Sequence, residues 1–340
     1  MRFADRLFVA WYRPRPGLIA TALAPLAAIF GVLAALRRAL YRHHVLAVVR
    51  LPVPVIVVGN ITVGGTGKTP LVAALAVALA ARGFHPGCVS RGYGRREQPG
   101  APAALPVGPG ASADDVGDEP LMLARRGIPV AVGRDRVAAA RLLLIGARAC
   151  DVVIADDGLQ HYRLARDVEI AVVDGERGLG NGWLLPAGPL REPATRLAAV
   201  DAVVVNGTLG PRAEFPVSAY PMALVTGPLR RVDGAAGQAD VATLGRRIRA
   251  VAGIGNPSRF FAGLRALGFD PIGHPFPDHH RFVARDLAFG DGLPVVMTEK
   301  DAVKCAALAD ERCWYLPVEA KLDPALVSLV LERLRGSQAA

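Results

Sequence analysis

Residues 53–69 read VPVIVVGNITVGGTGKT. The run Val55-Ile56-Val57-Val58 is apolar and β-branched, which suits a strand buried on both faces in the middle of a parallel sheet. It breaks at Gly59-Asn60, passes through Gly64-Gly65-Thr66-Gly67 and ends in Lys68-Thr69. Pro70 then falls where a first helical turn accepts it. Strand, glycine loop, Lys-Thr, helix is the layout of a phosphate-binding loop. Its backbone N–H groups curl around phosphate oxygens, and the following helix adds the positive end of its dipole. The expected cradle is Thr62, Val63, Gly64, Gly65, Thr66, Gly67, Lys68 and Thr69, with Lys68 reaching the β- and γ-phosphates and the Thr69 hydroxyl holding Mg²⁺. The strict pattern G-x-x-x-x-G-K-[ST] departs at its first position, Thr62, so an ordinary glycine turn competes. Composition favours the phosphate reading. The chain has 40 basic residues, and its lysines are confined to Lys68, Lys300, Lys304 and Lys321. A compact ammonium beside phosphates does what a planar guanidinium does less well.

Upstream, the segment 18–36, LIATALAPLAAIFGVLAAL, carries no charge. As one helix it would span roughly 28 Å, close to a bilayer core. Arg13 and Arg15 precede it, and Arg37, Arg38 and Arg42 follow. A spanning helix, a helix lying in one leaflet with snorkelling arginines, and a buried core helix compete. Basic clusters at both ends and the absence of a polar face favour membrane attachment. A signal peptide fits poorly, because the apolar core is long and starts late.

After the loop, 71–82 reads as a helix and 87–90 as a second strand. The latter runs into Arg91-Gly92-Tyr93-Gly94-Arg95-Arg96 at the strand edge where open parallel sheets bind ligands. Residues 98–112 read as a surface loop. Asp114 and Asp115 look like helix caps. Asp118-Glu119 supplies a carboxylate near the phosphates. A strand at 128–132 and a helix at 134–148 lead to DVVIADDGLQH, residues 151–161. There an apolar strand ends in Asp156-Asp157, the carboxylates that serve Mg²⁺ in a nucleotide site. Gln160 and His161 lie just beyond.

Strands at 168–174 and 201–206 flank GLGNGWLLPAGPLREPATR, residues 178–196, which reads as an ordered loop over the site. Arg191 and Glu192 in it are substrate contacts or a surface pair. The expected fold is α/β: a P-loop NTPase-like, doubly wound, mostly parallel sheet, with a smaller second α/β domain and an N-terminal membrane-associated helix. The expected divisions are 1–50 for the membrane segment, 51–207 for the nucleotide-binding domain, 208–248 for a hinge with short strands at 223–226 and 230–232, and 249–335 for the smaller domain. In the last, FPDHHRF at 276–282 offers metal ligands, a helix cap or a catalytic base. PVVMTEKDAVK at 294–304 is a strand ending in a charged turn, either a helix cap or part of a site. No third His or Cys sits at zinc spacing.

A formal charge of +10 favours anionic partners. Aromatics are sparse and no nucleic-acid module appears, so nucleic acid is not expected. The four cysteines show no C-x-x-C spacing and read as packed thiols in a reducing compartment.

Taken in order, VGNITVGGTGKTP, SRGYGRR, GDEP, ADDGLQH, LPAGPLRE, FPDHH and MTEKDAVK resemble the tetraacyldisaccharide 4'-kinase family, the lipid A 4'-kinases of Gram-negative bacteria. The resemblance covers nearly the whole chain. It implies transfer of the γ-phosphate of ATP to the 4'-hydroxyl of a tetraacylated disaccharide 1-phosphate, with Mg²⁺, at the cytoplasmic face of the inner membrane, as a step of lipid A biosynthesis. It implies a general base at Asp118 with His279 as its partner, chosen over His280 by motif register. Lys68 and Thr69 match the phosphate loop, and Asp156 and Asp157 the acidic pair. Arg91, Glu119, Gln160, His161, Arg191 and Glu192 are offered as site-lining positions. No obligate protein partner is implied. Two rival readings fit parts of the sequence. One is a membrane-associated partitioning ATPase with a deviant loop, although Val63 stands where its signature lysine would be. The other is a nucleotide-gated scaffold.

Overall fold

The computed structural model describes residues 3–13, 16–96, 102–146, 149–208 and 215–338. Arg15, and parts of the stretches 98–112, 134–148 and 208–248, lie outside the described residues. Two sheets organise the chain. The larger contains β1 (Val55–Gly59), β2 (Pro86–Ser90), β3 (Ala104–Pro106), β4 (Val130–Gly133), β5 (Val152–Asp156), β6 (Val168–Asp174), β7 (Ala202–Asn206) and β8 (Ala219–Thr226). The smaller contains β9 (Leu229–Arg231), β10 (Gln238–Ala239), β11 (Arg247–Ala252), β12 (Asp270–Pro275), β13 (Val295–Thr298) and β14 (Cys313–Leu316). The chain then returns, and β15 (Val318–Leu322) closes the larger sheet against β8.

The larger sheet runs β15-β8-β7-β6-β1-β5-β2-β4-β3. Its interior pairings are parallel, and only the edge strands β3 and β15 are antiparallel. β1 lies between β5 and β6, with every residue buried. That is why the run 55–58 has no polar alternation. The helix Lys68–Ala80 leaves the loop after β1 and buries Leu71, Val72, Leu75 and Leu79 against one face. Consecutive strands fall on both sides of β1, so the C-terminal strand ends around it open a crevice for ligand.

The smaller sheet runs β10-β9-β14-β13-β11-β12. The stretch read as a hinge with short strands contributes to both sheets: β8 belongs to the larger, β9 and β10 to the smaller. The C-terminal helix Pro324–Gln338 buries Leu326, Val330 and Leu334 in the larger sheet's core. The two crossings between sheets lie side by side, where the Gly227 N–H donates to the Pro317 carbonyl at 3.1 Å.

The apolar N-terminal run is two helices rather than one, Leu18–Ala22 and Ala24–Arg42, broken at Leu23 with Pro25 in the first turn of the second. Proline is tolerated there and would break a helix interior. The second helix is long and apolar enough to cross a membrane. It is not a core helix, since Leu26, Ile29, Val32, Leu33 and Leu36 are all more than half exposed. All four cysteines are free and buried.

Candidate active site

The phosphate loop is held by the elements around it. Asn60, fully buried, donates to the Gly64 carbonyl at 3.4 Å. Arg177 donates to the Gly65 carbonyl at 2.7 Å and is itself paired with Asp174. Asn206, at the tip of β7, donates to the Thr66 carbonyl at 3.1 Å. Thr62 bridges to Leu190, and the Val63 N–H donates to the Pro189 carbonyl at 2.8 Å, so the 178–196 segment forms the loop's outer wall. Gly67 has φ +92°, and a Cβ there would stand 2.7 Å from Asn206 Nδ2. Only glycine fits both the left-handed backbone and the close approach.

Lys68 and Thr69 open the helix and face the tip of β5. Thr69 Oγ1 donates to Asp156 Oδ2 at 3.3 Å, while Lys68 Nζ lies 3.5 Å from Asp157 Oδ1. Arg191 also reaches both Asp157 oxygens at 3.2 Å. The neighbouring carboxylates therefore behave oppositely. Burial, reinforced by Glu119, pushes Asp156 up to about 7 despite Lys68. Burial also works to raise Asp157, but Lys68 and Arg191 outweigh it and hold the group below the usual carboxylate range.

Asp156 Oδ1 is buried without a hydrogen-bond partner. An orphaned carboxylate oxygen beside a threonine hydroxyl fits a hard divalent cation. Among the described residues no group of three His, Cys, Asp or Glu side chains forms a closed cage. That suits Mg²⁺, which keeps water and phosphate oxygens as ligands. Asp157 faces the two cations instead of Thr69.

A second cluster joins the two sheets. Gly117, with φ +92°, turns the chain into the helix Asp118–Arg125. Asp118 Oδ1 accepts from the Glu119 N–H at 3.0 Å, and its Oδ2 lies 2.9 Å from His279 Nδ1. His279 is in the left-handed region at φ +57°, a conformation uncommon outside glycine that gathers at functional sites. Its ring sits 4.8 Å from that of Tyr93. His280 goes elsewhere: its Nε2 lies 3.0 Å from Asp286 and its ring stacks on Phe276. Burial alone would raise Asp118, but the His279 hydrogen bond and the Lys300 charge prevail, leaving it below the usual carboxylate range. A cleft of about 330 Å³ opens beside the pair, lined by Tyr93, Gly94, Asp118, His279, Arg281 and Phe282.

The other expected positions divide. Glu119 lies 3.5 Å from Lys300 Nζ, and its charge is felt at Asp156. Arg91 is exposed one residue past β2, on the same strand edge. Gln160 Nε2 donates to the Asn60 carbonyl and to Glu192 Oε1. Glu192 is buried, accepts from Tyr162 and lies 3.4 Å from Arg196, so it braces the 178–196 loop. Burial, then Arg136, pushes His161 down to about 4, so its ring is neutral at physiological pH.

Residues not singled out from sequence are Asn60, Asn206, Arg177 and Lys300. Asn206 ends an otherwise apolar strand, a signal of the same kind as Asp156. Lys300 stood within a turn for which capping and function were both open. Thr298 caps the helix Glu299–Cys305, and Lys300 lies 3.7 Å from Asp118. Arg177 carried no local signal.

A parallel sheet with a Lys-Thr glycine loop on its central strand, acidic residues on the adjacent tip and a carboxylate–imidazole pair beside a cleft defines a P-loop phosphotransferase class. A family model described as tetraacyldisaccharide-1-P 4'-kinase matches residues 19–335, and the chain belongs to that family. It is 57% identical to a tetraacyldisaccharide 4'-kinase of Alkalilimnicola ehrlichii over 97% of this chain and 96% of that one. It is 53% identical to one of Azoarcus sp. (strain BH72), over 96% and 95%. A crystal structure described as an "apo" form of LpxK from Aquifex aeolicus in complex with ATP superposes with TM-score 0.79 at 30% identity, covering 93% of this chain and all of that one.

Proposed function

We propose that the protein transfers the γ-phosphate of ATP to the 4'-hydroxyl of a tetraacylated disaccharide 1-phosphate. The observation that carries this reading is the pair of contacts that build the site: Lys68 and Thr69 on the carboxylates at the tip of β5, and Asp118 on His279. Lys68 and the loop N–H groups hold the phosphates. Thr69 and Asp156 would hold Mg²⁺, which would supply charge neutralisation for the terminal phosphates of ATP. The acceptor hydroxyl sits against Asp118. Its O–H bond breaks as Asp118 takes the proton, its oxygen bonds to the γ-phosphorus, and ADP leaves. Phosphoryl transfer needs positioning and charge neutralisation above all.

The acceptor is a lipid, and the N-terminal segment suits one. The exposed apolar helix Ala24–Arg42 inserts into the cytoplasmic face of the inner membrane, with Arg37, Arg38 and Arg42 at headgroup level. Two residues of the N-terminal 1–50 segment touch the proposed site. Tyr12 donates to the Val63 carbonyl at 3.2 Å, and Arg37 donates to the Gln160 carbonyl at 2.9 Å. A hollow of about 310 Å³ between this helix and the loop, lined by Gly31, Ala35, Arg38, Leu184 and Pro193, is a place for part of the acyl sugar. The test is ADP release by the full chain in mixed micelles with MgATP. Release that depends on the disaccharide 1-phosphate is expected. Equal release without acceptor would point to a plain ATPase and overturn the reading.

A further inference from the structure

Both ring nitrogens of His279 have their protonation specified by a neighbour. On one side Nδ1 lies 2.9 Å from Asp118 Oδ2, a carboxylate kept ionised. A bare nitrogen there would set two acceptors against each other, so Nδ1 carries the proton. On the other side Nε2 lies 3.3 Å from Lys300 Nζ. An ammonium has three donors and no lone pair, so Nε2 must accept.

Lys300 reaches across from the helix that follows β13, and it is built into this position. Its ammonium is 3.2 Å from Asp278, 3.5 Å from Glu119 and 3.7 Å from Asp118, with the side chain 18% exposed. These carboxylates outweigh the effect of burial and keep it charged. The other groups facing the ring are few. Asp278 Oδ1 lies 3.8 Å from Nε2, and the Tyr93 ring packs on one side. Lys304 acts on Asp118 at longer range, and Arg281, paired with Asp114, stands across the cleft. Of these, Asp278 is the group that would accept a proton from Nε2, and Lys300 occupies that place.

We propose that Lys300 is a positioning residue that fixes the tautomer of His279: it donates to Nε2, so the ring proton stays on Nδ1 and is held against Asp118. The proposal rests on the Asp118 reading above. Its consequence for the reaction is a division of labour. Asp118 takes the proton of the acceptor hydroxyl, and neutral His279 stays an N–H donor that orients the carboxylate. Removing Lys300 frees Nε2 to take a proton, from solvent or as the other tautomer with Asp278 as its partner, and the Nδ1–H is no longer guaranteed. A misplaced proton on a catalytic imidazole is costly even when the geometry survives.

The test uses full-length protein in detergent, labelled with ¹⁵N-histidine, with His279 assigned by its loss in His279→Gln. The wild type is expected to show protonated Nδ1 and bare Nε2 at neutral pH. Lys300→Met keeps the stem and removes the charge. It is expected to lose that signature and to lower kcat about 10- to 100-fold, with KM for ATP changed by less than about 2-fold. An Nε2–H tautomer or an imidazolium in the wild type overturns the proposal, and this arm stands even if Lys300→Met fails to fold. An unaltered signature and kcat in a folded Lys300→Met also overturn it. If instead Asp118→Ala keeps its kcat, the underlying reading of Asp118 fails, whatever the spectra show.

Discussion

Asp118 keeps its negative charge where burial would otherwise remove it, because His279 and Lys300 face it. A carboxylate in that state is ready to take a proton from a hydroxyl held within hydrogen-bond reach. Asp118→Asn preserves the shape and removes the proposed base. The expected result is a kcat loss of about 10²- to 10⁴-fold with nearly unchanged ATP affinity, read from steady-state kinetics and nucleotide titration. Gly67→Ala acts on the cradle itself, forcing a Cβ into Asn206 at a left-handed position. It should destabilise the protein by about 1–3 kcal/mol and abolish tight ATP binding, checked by urea unfolding and calorimetry. At this scale much was legible. Lys68 and Thr69 follow from the glycine loop that opens a helix, and Asp156 and Asp157 from the tip of an apolar strand, both patterns that spacing reveals. Lys300 and Arg177 act through contacts between distant segments, which spacing does not show.

Among the elements, β5 is the one whose function conflicts most with its packing. It carries Asp156 at 1% exposure, and the folded carboxyl titrates near 7, against about 4 in an unfolded chain. The raised value means that the contribution to stability is present in full below about pH 4 and is lost as the pH rises through 7. Asp156→Asn removes that penalty. In metal- and nucleotide-free buffer at pH 8 it should melt several degrees above the wild type, with the gap shrinking toward pH 5. Stabilisation by MgATP should vanish in the same variant, and thermal melts across pH check both. The N-terminal helix makes the complementary case. Its apolar composition was plain from the sequence, but its break at Leu23 depends on where Pro25 can sit in a helix. Ile29→Glu with Leu33→Glu places charge on its exposed face. Binding to vesicles of anionic lipid should fall at least about 10-fold in sedimentation assays, with ATP affinity kept.

The whole molecule is two sheets joined by paired crossings, with a third tie near the site. Arg126 donates to both oxygens of Glu299 and to the Val318 carbonyl, linking the end of the Asp118 helix to the start of the Lys300 helix. The Asp118–His279 pair spans the same gap, so its geometry depends on how the sheets are held. Arg126→Met should cost about 1–3 kcal/mol in urea unfolding and lower kcat more than it raises KM for ATP. The α/β alternation of the larger sheet could be read in order along the chain. The return of β15 and the last helix could not, because an edge strand with alternating exposure reads alike in either sheet.

The terminal phosphate of ATP is expected to reach one particular hydroxyl, at the 4' position of the lipid disaccharide. The most direct measurement supplies γ-³²P-ATP, Mg²⁺ and a tetraacyldisaccharide 1-phosphate, then treats the labelled lipid with mild acid to remove the anomeric phosphate. Label kept on the lipid after acid, and absent when α-³²P-ATP is used, is the predicted result. A lipid without label, or label released by the acid with the 1-phosphate, would contradict it.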